Sequence, residues 1–226
     1  MANKIESYIR LSKIFSNHHF HLYLVGGCVR DYLLHRDFDD IDLTTDATPE
    51  DMKMMFPNAD FSFAKYGAVK IDFESVIFEV TTLRIEKGYK DSRHPSKIVF
   101  TKDIKRDVVR RDFTINGIYM DDRFNVFDYV KGQRDLEKHN IRTIGRATRR
   151  FKEDPLRIIR AVRFALVLGF DIDPSTSKAM SKCSKYLSRL NPAKIHEEIM
   201  KITSCDENIK NELFKKYDIS QFVNVC

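Results

Sequence analysis

No apolar run in this chain of 226 residues comes near the ~20 residues that a bilayer-spanning helix needs. A membrane-spanning protein is therefore not expected. The first residues, MANKIESYIRLSKIF, hold no uninterrupted apolar stretch and no small-residue cleavage site. A secretory leader is not expected either, and the expected location is cytoplasmic. Cysteine is scarce: Cys28, Cys183, Cys205 and Cys226 stand far apart, none at C-x-x-C spacing, with no nearby histidines to complete a metal set. A structural zinc site and a disulfide framework are excluded, which leaves four reduced thiols. Internal repeats, low-complexity tracts and a Pro/Gly/Ser linker are also missing.

What is present is the material of a globular protein. The chain is 42% hydrophobic and 32% charged, enough for one large or two small domains with a real core. The formal net charge is +6, and its distribution says more than its size. Residues 101–160 hold 16 Lys/Arg against 10 Asp/Glu, while the rest of the chain balances at 23 against 23. Within that segment Arg142, Arg146, Arg149, Arg150 and Lys152 face no acidic residue over eleven positions. Such clustering suits a polyanion, nucleic acid or nucleotide phosphate; a solvated helix face would read the same from charge alone.

Residues 21–27, HLYLVGG, read as a short buried strand entering a glycine turn, and 28–35 as an amphipathic helix. Residues 39–46, DDIDLTTD, alternate like a strand; Thr48-Pro49-Glu50 then predicts a helix start with Thr48 as N-cap. Residues 68–84 read as two adjacent strands and polar 85–98 as a mobile loop. Residues 107–121 look helical and 123–130 strand-like. From about 153 the period is helical throughout. Leu156, Ile159, Val162, Leu166 and Phe170 line one face, Arg157 and Arg160 fall on another, and Arg163 drifts toward the apolar edge. Asp173-Pro174 and Asn191-Pro192 punctuate further helices. The expected division is an α+β domain over 1–145 and an all-α one over 146–226.

Three constellations carry chemistry. The first is Gly26-Gly27, Arg30-Asp31 and Asp40-x-Asp42. A glycine pair between strand and helix lets backbone N–H groups approach phosphates, and the helix dipole favours them. Asp40 and Asp42, two apart on a strand, project to one face, where carboxylates repel unless a cation sits between them. That suits Mg²⁺, a hard ion that prefers oxygen ligands and retains phosphates. Surface acids at a strand end are the plainer alternative. A calcium-binding EF-hand is rejected, since Asp42 stands where that loop requires glycine.

The second is Arg110-Arg111-Asp112-Phe113-Thr114-Ile115-Asn116-Gly117. Arginine offers phosphate a bidentate fork, and a carboxylate can accept from a ribose hydroxyl. The third is Glu153-Asp154-Pro155-Leu156-Arg157, continuing to Arg160, Arg163 and Phe164. Asp154 and Arg157, three apart, project together from a helix; on its own the stretch also reads as a salt-bridged amphipathic helix.

Together these motifs resemble the class II tRNA nucleotidyltransferase and bacterial poly(A) polymerase family. LVGGCVRDYLL followed by DDIDLTTDATPE is similar to its first signature, with His35 where the family has glycine. Residues 110–117 resemble its RRDFTINA motif, with Gly117 for alanine, and 153–164 its EDxxRxxRxxRF motif. Thr82-Leu83-Arg84 with Tyr89, Asp91, Arg93, His94 and Pro95 resembles the family's flexible loop, present in members that reach the final A. The resemblance covers about residues 20–203; the family usually continues into further helical domains.

It implies a polymerase-β-like nucleotidyltransferase head, a mixed sheet flanked by helices, followed by a helical neck. It implies Mg²⁺ held by Asp40 and Asp42, with Glu79 as a third carboxylate near the metals. Gly26, Gly27, Arg30, Arg111, Asp112 and Asn116 would hold nucleotide phosphates and ribose. Asp154 and Arg157, with Arg160 and Arg163 on the same helix, would read the base edge. Asp154 accepts from the exocyclic amine of cytosine or adenine and opposes the carbonyl oxygen of uracil or guanine. The expected reaction adds C and A to a tRNA 3′ end from CTP and ATP, without template, with no DNA or membrane partner. The alternatives are a poly(A) polymerase or A-only relative, and an RNA-binding module that has lost catalysis; the intact Asp40/Asp42 pair opposes the last.

Overall fold

The computed structural model describes residues 2–38, 40–89, 95–203 and 205–222. The elements run α1 (Ala2–Asn17), β1 (Leu22–Val25), α2 (Gly27–Leu33), β2 (Asp42–Thr45), α3 (Pro49–Met55), β3 (Ala68–Phe73), β4 (Val76–Thr82), β5 (Arg84–Tyr89), β6 (Pro95–Phe100) and α4 (Ile104–Asp107). They continue β7 (Ile118–Met120), β8 (Val126–Asp128), α5 (Gly132–Glu137), β9 (Asn140–Ile141), α6 (Ala147–Glu153), α7 (Leu156–Leu168), β10 (Asp171–Ile172), α8 (Pro174–Cys183), α9 (Pro192–Met200) and α10 (Glu207–Lys216). None of the described helices is long and apolar enough to cross a membrane.

Two compact units divide the chain. The first joins the chain up to Glu86 with Lys97–Arg111 and Ile115–Gln133; the second joins Lys87–Ser96, Asp112–Thr114 and the chain from Arg134 on.

In the first unit a six-stranded mixed sheet has the order β3-β4-β2-β1-β7-β8. The β2–β4 pair is parallel and the other pairs are antiparallel. Tyr8, Leu11 and Phe15, at helical spacing on α1, are fully buried, as are Leu24, Val80 and Met120 of the sheet. Helix α3 starts as its sequence dictates. Thr48 is the N-cap, its hydroxyl accepts from the Asp51 amide, and the Asp51 carboxylate accepts back from the Thr48 amide, with Pro49 at the first position.

The strand expected over 39–46 is shorter. It begins at Asp42, Leu43 to Thr45 are all buried, and Asp40 lies in the segment just before it. Because β2 is flanked by β4 and β1, it is a central strand, and the alternation of a one-sided strand is lost. Residue 39 lies outside the described residues.

Two expectations are corrected. Residues 85–98 are not simply a loop: β5 and β6 pair as a two-stranded sheet, with the Ser96 hydroxyl donating to the Lys87 carbonyl at 3.1 Å. Their polar composition hid the strands, and Pro95 is tolerated because it is the first residue of β6. Asp91, Arg93 and His94 lie outside the described residues. Residues 107–121 are not one helix but the end of α4, two 3₁₀ turns at Val108–Arg110 and Thr114–Asn116, and strand β7.

The second unit is helical. Asp173 and Asn191 cap α8 and α9, accepting from backbone amides, with Pro174 and Pro192 at the first helical positions. On α7, Leu156, Ile159 and Val162 are buried, Leu166 only partly, and Phe170 follows the C-cap Gly169 into the core. The all-helical expectation misses one small feature, the parallel two-residue ladder between β9 and β10. Of the cysteines, Cys28, Cys183 and Cys205 are free thiols, and Cys226 lies outside the described residues.

Candidate active site

In the first unit β1 ends at Val25, and Gly26 turns the chain into α2 with φ 81° and ψ −134°. Only glycine adopts that backbone readily. A Cβ there would also sit 3.2 Å from Asp42 Oδ2, whereas a Cβ on Gly27 would meet only Arg30 Nη2 at an ordinary 3.6 Å. The two glycines are therefore unequal. Gly26→Ala is expected to cost about 1–3 kcal/mol and lower the melting temperature, while Gly27→Ala leaves it close to wild type. Equal melting temperatures for the two variants would contradict this.

Register sets the centre of the site. Asp42 on β2 pairs with Glu79 on β4, and Glu79 pairs with Lys70 on β3. The three side chains form a row across three strands. That row borders two cavities. One, of about 530 Å³, is lined by Asp42, Lys70, Glu79, Arg84, Arg110 and Arg111. The other, of about 670 Å³, shares Asp42, Lys70 and Glu79 and adds Asp40. The first unit thus brings together Asp40, Asp42, Glu79 and Arg111 of the sequence-derived set. It adds Lys70, Arg84 and Arg110, which that set omits. Lys70 carried one weak signal, its position between Val69 and Ile71, which are buried on the opposite face of β3.

Gly27, Arg30 and Asn116 do not line these cavities. Arg30 is buried; it donates from Nε and Nη2 to Asp31 at 2.9 and 2.7 Å, and from Nη1 to Asn116 Oδ1 at 2.9 Å. It ties α2 to the segment that follows the two arginines.

Arg110 and Arg111 are held by a residue the motif reading passes over. Asp107 is fully buried. Its Oδ1 accepts from Arg110 Nε and from the Arg84 amide, both at 2.8 Å. Its Oδ2 accepts from the Tyr119 hydroxyl at 2.6 Å and Arg111 Nε at 3.2 Å. Burial alone would raise the Asp107 pKa, but Arg110 and Arg111 outweigh it and hold the carboxyl well below its usual range. Burial likewise opposes the Arg111 charge, and Tyr119, Asp107 and Asp42 outweigh it.

Losing one partner of such a buried network costs about 3–5 kcal/mol, so Asp107→Ala is expected to lower the melting temperature by roughly 6–20 °C. The depressed folded pKa makes this contribution complete above the unfolded value of about 3.9. It is lost as pH falls through the folded value. The gap between variant and wild type should therefore be full at pH 6–7 and narrow below about pH 4. A gap independent of pH would contradict the assignment.

The second unit holds the rest of the set. Asp112 is buried; its Oδ2 accepts from Arg160 Nε at 2.8 Å and Nη2 at 2.6 Å. Glu198 on α9, also buried, meets Arg160 at 3.5 Å and Arg163 at 3.0 Å. Burial opposes the Arg160 charge, yet Asp112 and Glu198 raise its pKa above the ordinary arginine value, with Asp154 adding to them. Asp154 stands between α6 and α7, its Oδ1 accepting from the Leu156 amide at 3.0 Å. Arg157 Nε lies 4.0 Å from Asp154 Oδ2. Arg157 is buried and donates to the Arg150 carbonyl at 3.0 Å.

The carboxylates suit a hard divalent ion. Among the described residues no three His, Cys, Asp or Glu side chains converge closely enough to enclose a metal on their own. Asp40, Asp42 and Glu79 instead line an open cavity. That fits an ion taking one or two carboxylates and completing its shell with water and phosphate oxygens, as Mg²⁺ does.

Comparison with known proteins places the chain. The family described as "Poly A polymerase head domain" matches residues 22–142. A second, described as "Probable RNA and SrmB- binding site of polymerase A", matches residues 169–211. The CCA-adding enzyme of Staphylococcus haemolyticus is 40% identical over 212 residues, covering 94% of this chain and 52% of that protein. That of Lactobacillus johnsonii is 42% identical over 183 residues, covering 81% of this chain and 46% of that protein. The crystal structure of the Bacillus stearothermophilus CCA-adding enzyme in complex with CTP matches with a TM-score of 0.88 at 30% identity. That match covers 98% of this chain and 54% of the other. The chain spans about half the length of the curated relatives it matches. With more than half its length matched, the chain belongs to the poly A polymerase head-domain family.

Proposed function

We propose that this chain is the catalytic part of a template-independent, Mg²⁺-dependent nucleotidyltransferase that adds C and A to a tRNA 3′ end from CTP and ATP. The observation that carries the reading is the row Asp42–Glu79–Lys70 between two cavities, one rich in arginine and one holding Asp40. The names of the relatives, and the CTP bound by the Bacillus enzyme, support the choice of substrates.

In the reaction the RNA 3′-hydroxyl oxygen forms a bond to the α-phosphorus of the nucleotide. The bond from that phosphorus to the β-phosphate bridging oxygen breaks, pyrophosphate leaves, and the hydroxyl proton passes to solvent. Arg84, Arg110, Arg111 and Lys70 line the cavity suited to a triphosphate and neutralise its charge. Asp40 and Asp42, with Glu79, would hold the ion; bound there it supplies Lewis-acid polarisation of a phosphoryl oxygen. Gly26 leaves the space beside Asp42 open, and Gly27, Arg30 and Asn116 fix α2 next to it. Asp112 would accept from the ribose. Asp154 and Arg157 would read the base edge, with Arg160 and Arg163 holding the surrounding helix in place. Catalysis is thus assigned to a head over 1–145 and base selection chiefly to a neck over 146–226.

The test uses the purified chain, Mg²⁺, an RNA with a free 3′-hydroxyl and α-labelled CTP or ATP. Extension of the RNA with stoichiometric pyrophosphate release is expected, and chelation should stop it. A chain that binds the RNA yet extends it with neither nucleotide would be a binding module only.

A further inference from the structure

The first unit holds a further cavity, of about 440 Å³, a volume suited to a small molecule. Strand β1 separates it from the catalytic cavities. Val25, at the end of the strand, lines the arginine-rich one, whereas Leu22 and Tyr23, at its start, line this one.

Part of the wall is helix α1, where Ser12 and Ser16, four residues apart, share a face. Ser12 is 3% exposed, and among the described residues no hydrogen bond engages its hydroxyl. Buried polar side chains are bonded as a rule, so a hydroxyl left open toward a cavity marks a place for a ligand.

The turn between β7 and β8 adds acids. Asp121 is engaged within the turn: its carboxylate accepts from the Arg123 and Asn125 amides at 2.9 and 2.8 Å, and from Asn125 Nδ2 at 2.9 Å. Asp122 has no such partner among the described residues. Arg123 also lines the cavity, but it is exposed and makes no ion pair with Asp122. The nearest imidazole, His21, is taken by Asp46, whose Oδ2 lies 3.0 Å from Nδ1. The field of the acids reaches inward. Burial, then Asp122 and Asp121, push the Tyr8 hydroxyl above its ordinary pKa; burial, then Asp46 and Asp121, push that of Tyr23 up to about 12.

The remaining lining is aromatic. Tyr23 meets Phe127 edge to face, ring centroids 5.7 Å apart. Such rings pack against an alkyl chain and attract a cation. A bare metal ion does not suit this place, because no three His, Cys, Asp or Glu among the described residues converge to hold one.

We propose that this cavity binds an aliphatic amine of the polyamine class. One ammonium group sits between the Asp122 carboxylate and the Ser12 and Ser16 hydroxyls, and the methylene chain lies against Tyr23 and Phe127. An ammonium carries three N–H donors, and these three side chains supply three acceptors. A chain of net charge +6 repels such a ligand in general, so binding depends on these local acids. The inference stands apart from the nucleotidyltransferase reading, since none of these residues lines the catalytic cavities.

The test is calorimetric titration of the full chain with 1,5-diaminopentane at fixed KCl, without RNA or nucleotide. Saturable binding of one diamine per chain is expected, with none of the uncharged 1,5-pentanediol. Asp122→Asn should weaken it roughly tenfold or more, and Ser12→Ala should weaken it several-fold. Glu212→Gln, an equal charge change at an exposed position of α10, should bind as wild type does. No saturable binding would leave a water-filled cavity and overturn the proposal. Equal losses in Asp122→Asn and Glu212→Gln, or displacement of the diamine by stoichiometric MgCl₂, would overturn it too. So would a Ser12→Ala chain that binds as wild type, whatever the melting curve of Asp122→Asn.

Discussion

Asp42→Asn is expected to abolish nucleotide incorporation while leaving the fold intact. Asp42 is the first residue of β2, exposed and paired in register with Glu79. Its carboxylate lines both cavities, so an amide of the same size disturbs no core packing. In the proposed reaction it removes a charged ligand at the point where phosphoryl charge would develop. Metal-assisted stabilisation there is worth several kcal/mol, and at about 1.4 kcal/mol per factor of ten this is a loss of roughly a thousandfold or more. Asp40→Asn is expected to act in the same direction, since Asp40 lines the second cavity alongside Asp42. The check is single-turnover incorporation of labelled CTP, with thermal melting run beside it. Turnover near wild type in either variant would remove the metal assignment; a collapsed melting curve would show that the carboxylate holds the fold instead.

The second large effect is on base choice. If Asp154 reads the base edge, Asp154→Ala removes an acceptor that favours an exocyclic amine and repels a carbonyl. One such hydrogen bond is worth on the order of 1–3 kcal/mol, so discrimination of CTP against UTP should fall roughly ten- to a hundredfold. The structure supplies the competing account. Asp154 Oδ1 also accepts from the Leu156 amide at the start of α7, a capping-type contact worth about 1 kcal/mol. Asp154→Asn separates the two, because its amide oxygen can keep that bond while its NH₂ group now favours a carbonyl. Base reading predicts that the asparagine variant shifts selectivity toward UTP. A purely structural role predicts uniform, mild losses for all four nucleotides and a constant ratio of kcat/KM values.

The sequence makes some of this legible and hides the rest for physical reasons. Local chemistry reads well. The Thr48-Pro49 start of α3, the Asp173-Pro174 and Asn191-Pro192 starts of α8 and α9, and the adjacent β3 and β4 all follow from caps and periodicity within a few residues. Elements stabilised by distant partners do not. Strands β5 and β6 look like a polar loop until they pair. Residues 107–121 carry helical spacing, yet the chain makes 3₁₀ turns at Val108–Arg110 and Thr114–Asn116 and then pairs Ile118–Met120 with β1 and β8, partners distant in sequence.

The same distinction holds at the site. Asp40, Asp42 and the two arginines are visible as motifs. Lys70 becomes part of the site only through its cross-strand pairing with Glu79, and Asp107 only through burial. The basic segment 142–152 reads as uniform, but the structure turns Arg150 inward and leaves Arg146, Arg149 and Lys152 outside.

Three versions of one tRNA, ending at the discriminator base, at C and at CC, are each incubated with the chain, Mg²⁺ and a single labelled nucleotide. The account predicts C added to the first and second, A added to the third, and negligible use of UTP or GTP. Repeated A addition to all three would identify a poly(A)-type activity, and extension with all four nucleotides alike would contradict base selection by this chain.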